Sequence, residues 1–291
     1  MISSTHVRRL GFTLALAAAL VGGCKKKEAA PAAGSGSGTA ATPPLPPAID
    51  APPAAPNLIT KAQTPDEAVA SADRTADDQA LDAGRKPAEL LSFLQVKAGQ
   101  KVAELFAGGG YTVELLARVV GPTGKVYGEN PKMVLEKFAE KPWSERLARL
   151  NSPSIVRVDR ELDSPLPADV TDLDLVVMHL VYHDAVALGV DRSGMNAAIW
   201  KALKEGGRFV VIDHSAKEGT GPNNAADLHR IEKKFVQDEV EQTGFLLDGE
   251  SDLFVHADDT RDWSTSPGAA ADKRGTSDRF VLVFKKPVIA Q

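Results

Sequence analysis

The stretch that most limits how this chain can fold is residues 101–120, KVAELFAGGGYTVELLARVV. Its first six residues form a short, mostly apolar strand. Its last ten place apolar residues at 113, 115, 116, 119 and 120, the spacing of one helix face, and Gly121-Pro122 stops that helix. Between them, Ala107-Gly108-Gly109-Gly110 is a turn. Missing Cβ atoms there permit a left-handed backbone and let another group come close to the main chain. A strand that turns directly into a helix is half of a βαβ unit.

From about Thr64 the same alternation runs to the end. Helices are expected over 65–80, 87–96, 131–150, 192–204 and 224–243, and strands over 125–128, 155–158, 173–178, 208–212, 245–247 and 280–284. Residues 173–178, LDLVVM, are apolar almost throughout, as suits a central parallel strand covered on both faces. The expected class is α/β, a sheet with helices on both faces. Such sheets bind ligands at the carboxyl ends of their strands, where strand order reverses.

The first 60 residues differ in kind. Arg8 and Arg9 precede an apolar run over 10–21, and Val21-Gly22-Gly23-Cys24 closes it, the pattern of an export signal. Small residues before a cysteine resemble the bacterial lipobox, which implies cleavage before Cys24 and acylation of its thiol. Cys24 is the only cysteine, so no disulfide can form within one chain. Eight of the 19 prolines fall between Pro31 and Pro56, among Ala, Gly, Ser and Thr, with too little apolar surface to offset the entropy of ordering. The expected organisation is a signal peptide over 1–23, a lipidated, disordered tether over 24–60 and a folded domain over 61–291. That places the protein in the bacterial cell envelope, facing the periplasm, with the N-terminal lipid as its only membrane contact. The alternatives are an ordinary signal peptide, or a hydrophobic N-terminus with a chance cysteine.

Five of the 34 basic and two of the 39 acidic residues precede Lys61, which leaves the domain at net −8. So acidic a body does not suit a phosphate backbone, and nucleic acid is excluded as a partner.

Nineteen residues after Gly110 stands Glu129, where a carboxylate can accept both hydroxyls of a ribose. Asp159 ends the third strand. The glycine turn could also merely close a strand–helix corner. With Glu104 ahead of the turn, the sequence resembles the class I S-adenosylmethionine-dependent methyltransferases, whose first motif is an acidic residue followed by a glycine turn. The likeness covers most of residues 85–290. Lys204-Glu205-Gly206-Gly207 is similar to the family's L-K-P-G-G turn, with Glu205 in place of Pro. Arg85-Lys86-Pro87, Tyr182-His183-Asp184, Asp213-His214-Ser215 and Asp262-Trp263 more closely resemble a group of uncharacterised predicted methyltransferases from bacteria.

This resemblance implies a Rossmann-like methyltransferase fold with a mostly parallel seven-stranded sheet and S-adenosylmethionine as cofactor. It implies that Glu104 and the backbone of Ala107, Gly108, Gly109 and Gly110 face the methionine part. Glu129 would take the ribose, and Asp159 would lie near the adenine amino group. One departure stands out: Phe106 occupies the place of the turn's first glycine. A nicotinamide dehydrogenase would need G-x-G-x-x-G, which residues 108–113 (GGGYTV) do not supply.

His179 and His183 follow the fourth strand with Asp184, and His214 follows Asp213 at the end of the fifth. The candidate catalytic residues are His183, Asp184 and His214, because a histidine oriented by a carboxylate can take a proton from a hydroxyl or amine. Methyl transfer itself rests mainly on in-line positioning. The expected activity is methyl transfer to a small-molecule acceptor. No metal ligand is assigned; the alternatives are metal-assisted hydrolysis through His179 and His183 with Asp213 or Asp184, and histidines that only cap the strand ends. A further alternative is an envelope ligand-binding domain that keeps the fold without the chemistry, since the cofactor is made in the cytoplasm. His229 reads as structural, beside Leu228, Ile231 and Phe235 on a long helix. Trp263 either closes over substrate or pins its own loop.

Overall fold

The structure, a computed structural model, describes residues 55–288. The export signal, Cys24 and most of the expected tether lie outside the described residues. Seven strands form one sheet: β1 (Lys101–Leu105), β2 (Lys125–Asn130), β3 (Ile155–Asp159), β4 (Leu173–His179), β5 (Leu203–His214), β6 (Leu246–Glu250) and β7 (Arg279–Lys285), in the order β3-β2-β1-β4-β5-β7-β6. Strands β1 to β5 pair in parallel, whereas β7 runs antiparallel to both β5 and β6. Strand order reverses between β1 and β4, so the glycine turn after β1 and the histidine segment after β4 leave adjacent strands at the same edge.

The helices are α1 (Pro65–Val69), α2 (Ala76–Arg85), α3 (Pro87–Leu94), α4 (Tyr111–Val120), α5 (Lys132–Val134), α6 (Glu140–Leu150), α7 (Tyr182–Ala187), α8 (Arg192–Ala202), α9 (Ala225–Leu228), α10 (Lys233–Glu241) and α11 (Pro267–Ala270). Residues of alternating parity along the strands feed two apolar clusters. Val102, Leu175, Val177 and Val210 join residues of α3, α4 and α6. Ala103, Val176, Met178 and Phe209 join residues of α7, α8 and α10.

Three expected helices are interrupted. Residues 65–80 form two helices because Thr64 caps α1 in a capping box with Glu67, while Thr75 caps α2. Arg74, buried between them, donates to Asp82. Over 131–150, a π-helical segment, Leu135–Ala139, joins α5 to α6. The expected helix 224–243 breaks between α9 and α10. There Arg230 is buried against Asp259 at 2.8 Å, and Ile231 bonds to the end of β5, its amide donating to the His214 carbonyl and its carbonyl accepting from Ala216. A buried ion pair and a β-bridge outweigh the helical period. The body also starts earlier than residue 61: Ile59 is buried in the first cluster, and the Leu58 amide donates to the Leu150 carbonyl at 3.0 Å.

Candidate functional site

β1 ends at Leu105, and the turn that follows alternates through left-handed backbone at Phe106 (φ 57°), Gly108 (φ 56°) and Gly110 (φ 78°). Phe106 therefore adopts the conformation that a glycine would take without strain, which costs a side-chain-bearing residue about 1–2 kcal/mol. The turn is braced from outside. Glu129 Oε2 accepts the Phe106 amide hydrogen at 3.0 Å, and the Glu129 carbonyl accepts that of Ala107 at 2.8 Å. Asn130 holds both faces of the Gly108 peptide: its Oδ1 accepts from the amide at 2.8 Å, and its Nδ2 donates to the carbonyl at 3.0 Å. Arg146 Nε donates to the Gly109 carbonyl at 2.5 Å, and the Trp143 ring lies against Gly110 and Gly128. Sequence reasoning missed Asn130, Trp143 and Arg146. Only the position of Asn130, next to Glu129 at a strand end, could have pointed to one of them.

Two acidic groups flank this turn with unmet hydrogen-bonding capacity. Glu129 is fully buried, and among the described residues its Oε1 has no partner. Burial, above all, pushes its carboxyl well above the ordinary range. Glu104 is also buried, its Oε2 has no partner, and burial pushes it up to about 7. Near Glu104 the Arg85 guanidinium lies 4.4 Å from the centre of the Tyr111 ring. Burial lowers its pKa, partly offset by Tyr111 and Glu104. Among the described residues it makes no hydrogen bond or ion pair.

A Cβ added at Gly108 would meet nothing within 4 Å. Two buried carboxyl oxygens in want of donors, an open glycine and an unpaired guanidinium fit a ligand with a ribose and an amino-acid end. A ribose reaches Glu129 only by displacing its cover. Asp159 is exposed at the end of β3, where Arg157 Nε donates to both its oxygens at 2.8 and 3.0 Å. It lines a cleft of about 350 Å³ with Tyr127, Arg160 and Pro167.

The histidines separate into three environments. His179 is buried at the end of β4, with Nδ1 3.2 Å from Thr112 Oγ1 and Nε2 unpartnered. Burial holds its pKa well below the ordinary value, so it is neutral. His214 Nδ1 lies 2.7 Å from Ser277 Oγ, and burial, followed by the neighbouring His183, lowers its pKa too.

His183 is the oriented one. Its amide donates to Asp213 Oδ2 at 2.8 Å and its Nδ1–H to Asp213 Oδ1 at 2.6 Å. Burial pulls His183 down, but the Asp213 carboxylate outweighs it and leaves the pKa raised. Its Nε2 faces His229 and Asp184. The expected cluster thus keeps His183 and Asp184, sets His214 alongside with ring centres 5.8 Å apart, and leaves out His179. It also gains His229, which the helix break puts at φ 49° with its ring centre 5.3 Å from that of His183. The expectation of a continuous helix through His229 is corrected by that break. Trp263 pins its own loop: its Nε1 donates to Asp259 at 2.7 Å, and Arg230 covers its ring. A cleft of about 640 Å³ beyond β5, lined by Ser215, Glu232, Glu250 and Asp278, holds none of the expected site residues.

No family model matches the chain. Solved structures do resemble it. An S-adenosylmethionine-dependent methyltransferase from Aquifex aeolicus aligns over 72% of this chain and 97% of its own, with 16% identity and a TM-score of 0.52. A chain from the complex between the Haloferax volcanii Trm112 methyltransferase activator and a methyltransferase aligns over 79% and 100%, with 19% identity and a TM-score of 0.51. Phosphoethanolamine N-methyltransferase 2 of Haemonchus contortus, in complex with S-adenosyl-L-methionine, aligns over 78% of this chain and 60% of its own, with 13% identity and a TM-score of 0.50. With its strand order and its antiparallel β7, this chain has the fold of the S-adenosylmethionine-dependent methyltransferases.

Proposed function

We propose that this chain is an S-adenosylmethionine-dependent methyltransferase for a small-molecule acceptor, exported and held in the bacterial cell envelope by lipid on Cys24. The observation that carries the activity is the pair of buried, unpartnered carboxyl oxygens of Glu104 and Glu129, at the ends of adjacent strands on either side of an open glycine turn. When bound, the cofactor supplies a methyl group made electrophilic by its sulfonium. Glu129 Oε1 would accept from the ribose, Glu104 would face the cationic amino end, and Arg85 would take the carboxylate. Asp159 is the adenine-side residue. The acceptor's place is beside His183, Asp184 and His214. With Nδ1–H committed to Asp213, Nε2 of His183 is the atom that takes a proton. The two apolar clusters support a sheet covered by helices on both faces.

Calorimetry of the full-length chain with S-adenosylmethionine tests the activity. Micromolar binding is expected, weakened roughly 10–100-fold in Glu129→Gln, since a hydrogen bond to a charged group contributes about 1.5–3 kcal/mol. That variant keeps an acceptor for the Phe106 amide, so the turn survives. No binding at millimolar ligand would overturn the reading. Export and anchoring rest on the sequence of residues 1–24. Cys24→Ser should move the protein from the membrane to the soluble fraction, and unchanged fractionation would rule the anchor out.

A further inference from the structure

His183 Nε2, Asp184 Oδ1 and His229 Nδ1 form a nearly equilateral triangle. The separations are 3.4 Å from His183 to Asp184, 3.3 Å from Asp184 to His229 and 3.3 Å from His183 to His229. These contacts are long for hydrogen bonds, which run from about 2.7 to about 3.2 Å. Asp213 holds the His183 ring through Nδ1, which turns Nε2 towards Asp184 and His229. The triangle has another explanation. Ligands about 2.0–2.1 Å from a tetrahedral metal lie about 3.3–3.4 Å apart, whereas an octahedral face at the same bond length has edges near 2.9 Å.

The geometry points to a divalent zinc site on these three residues, with the fourth position open to water or to the acceptor. Several independent features agree. The donor set, two imidazoles and one carboxylate, suits zinc and other transition metals and not calcium or magnesium. The outer shell is built: Asp213, fully buried, takes the His183 Nδ1–H at 2.6 Å, which is how a metal-ligating histidine is usually held. Charge balances as well, since Asp184 and Asp213 together offset one dication. Access is open, with the His183 side chain 3% exposed but those of Asp184 and His229 27% and 34%. His229 comes from the break between α9 and α10, in strained left-handed backbone, the kind of outlier that gathers at functional sites.

A bound zinc takes the same Nε2 atom that would otherwise act as base. The cation then lowers the pKa of whatever fills the fourth position, a water or an acceptor hydroxyl or thiol. The site itself does not depend on the cofactor reading, and its test reads metal binding alone.

The full-length chain is stripped with chelator, dialysed, and titrated with zinc chloride and separately with cobalt chloride. The expected results are one equivalent of zinc bound at micromolar affinity or better, a higher melting temperature with zinc, and the intense visible bands of four-coordinate cobalt. His229→Ala and Asp184→Asn should each weaken zinc binding at least 100-fold. Asp213→Asn should weaken it 10–100-fold while keeping one equivalent. His229 lies in a half-exposed break, and the metal-free melting temperature of its variant checks that the fold is kept. If that variant is unfolded, Asp184→Asn carries the test. Binding no tighter than millimolar, a six-coordinate cobalt spectrum, or unchanged affinity in a folded His229→Ala or Asp184→Asn protein would overturn the site.

Discussion

Glu129 Oε2 accepts the Phe106 amide hydrogen at 3.0 Å, tying the strained residue after β1 to the end of β2. The bond explains how a phenylalanine persists at φ 57°. The buried acceptor would be left without its donor if the turn relaxed, so the strain is offset locally. Phe106 also packs against both apolar clusters, a benefit glycine would lack. The two terms can be separated by substitution. Phe106→Ala loses the ring but keeps the strain, whereas Phe106→Gly loses both. Urea midpoints should place Phe106→Gly above Phe106→Ala by about 1 kcal/mol, the reverse of the usual order for these two residues. Alanine proving the more stable would sink the strain argument.

Gly108 and Gly110 make a matched pair. Both have positive φ, but only Gly110 faces a wall. A Cβ there would overlap the Trp143 ring, while one at Gly108 would meet open space. Gly108→Ala should cost about 1–2 kcal/mol from backbone strain alone. Gly110→Ala adds a clash with a buried indole and should cost roughly 3 kcal/mol or more. Equal losses in chemical denaturation would mean that Trp143 yields freely.

Much of this architecture was legible in the sequence, because buried parallel strands read as apolar runs and the glycine turn announces a strand–helix corner. Helix 111–120 matches α4 residue for residue. What failed to read were the breaks at Arg74 and Arg230. Each depends on a buried guanidinium, and Arg230 finds its carboxylate 29 residues away in Asp259, where periodicity cannot look. The same break hid the approach of His229 to His183 and Asp184. Glu104, Gly108 and Glu129 could be named as candidate positions around the turn, but not the bracing by Asn130 and Arg146, which arises only when β2 and α6 meet the turn.

Glu114 offers a test of that bracing. Almost fully buried on α4, its carboxylate accepts from Arg118, Arg146 and Arg149, and Arg146 passes the restraint on to the Gly109 carbonyl and to Asp78 at 2.7 Å. Glu114→Gln keeps the shape but removes the charge that three guanidiniums share, while Arg118 keeps Asp73 and Arg146 keeps Asp78. The expected loss is about 1.5–3 kcal/mol, little changed by salt because Glu114 itself is buried. A loss below about 1 kcal/mol, or one that vanishes in high salt, would show the cluster behaving as exposed ion pairs do.

Glu104 should give the domain a pH signature. Burial raises its carboxyl from the ordinary 4.5 to about 7, so between those values the folded protein holds a proton that the unfolded chain has released. Stability linked to this group is therefore complete below about pH 4.5 and falls as pH rises towards 7, by at most about 3 kcal/mol. Glu104→Gln mimics the protonated form at every pH. Urea unfolding at several values between pH 5 and 8 should show the variant gaining on the parent as pH rises, with the gap levelling off above about 7. Taking the difference between the two proteins cancels every other titrating group, Glu129 included. If the cofactor's cationic end meets Glu104 as proposed, affinity for S-adenosylmethionine should rise over the same interval in the parent and stay low and flat in the variant. A constant stability gap across the range would mean that Glu104 is ionised throughout and that water reaches its Oε2.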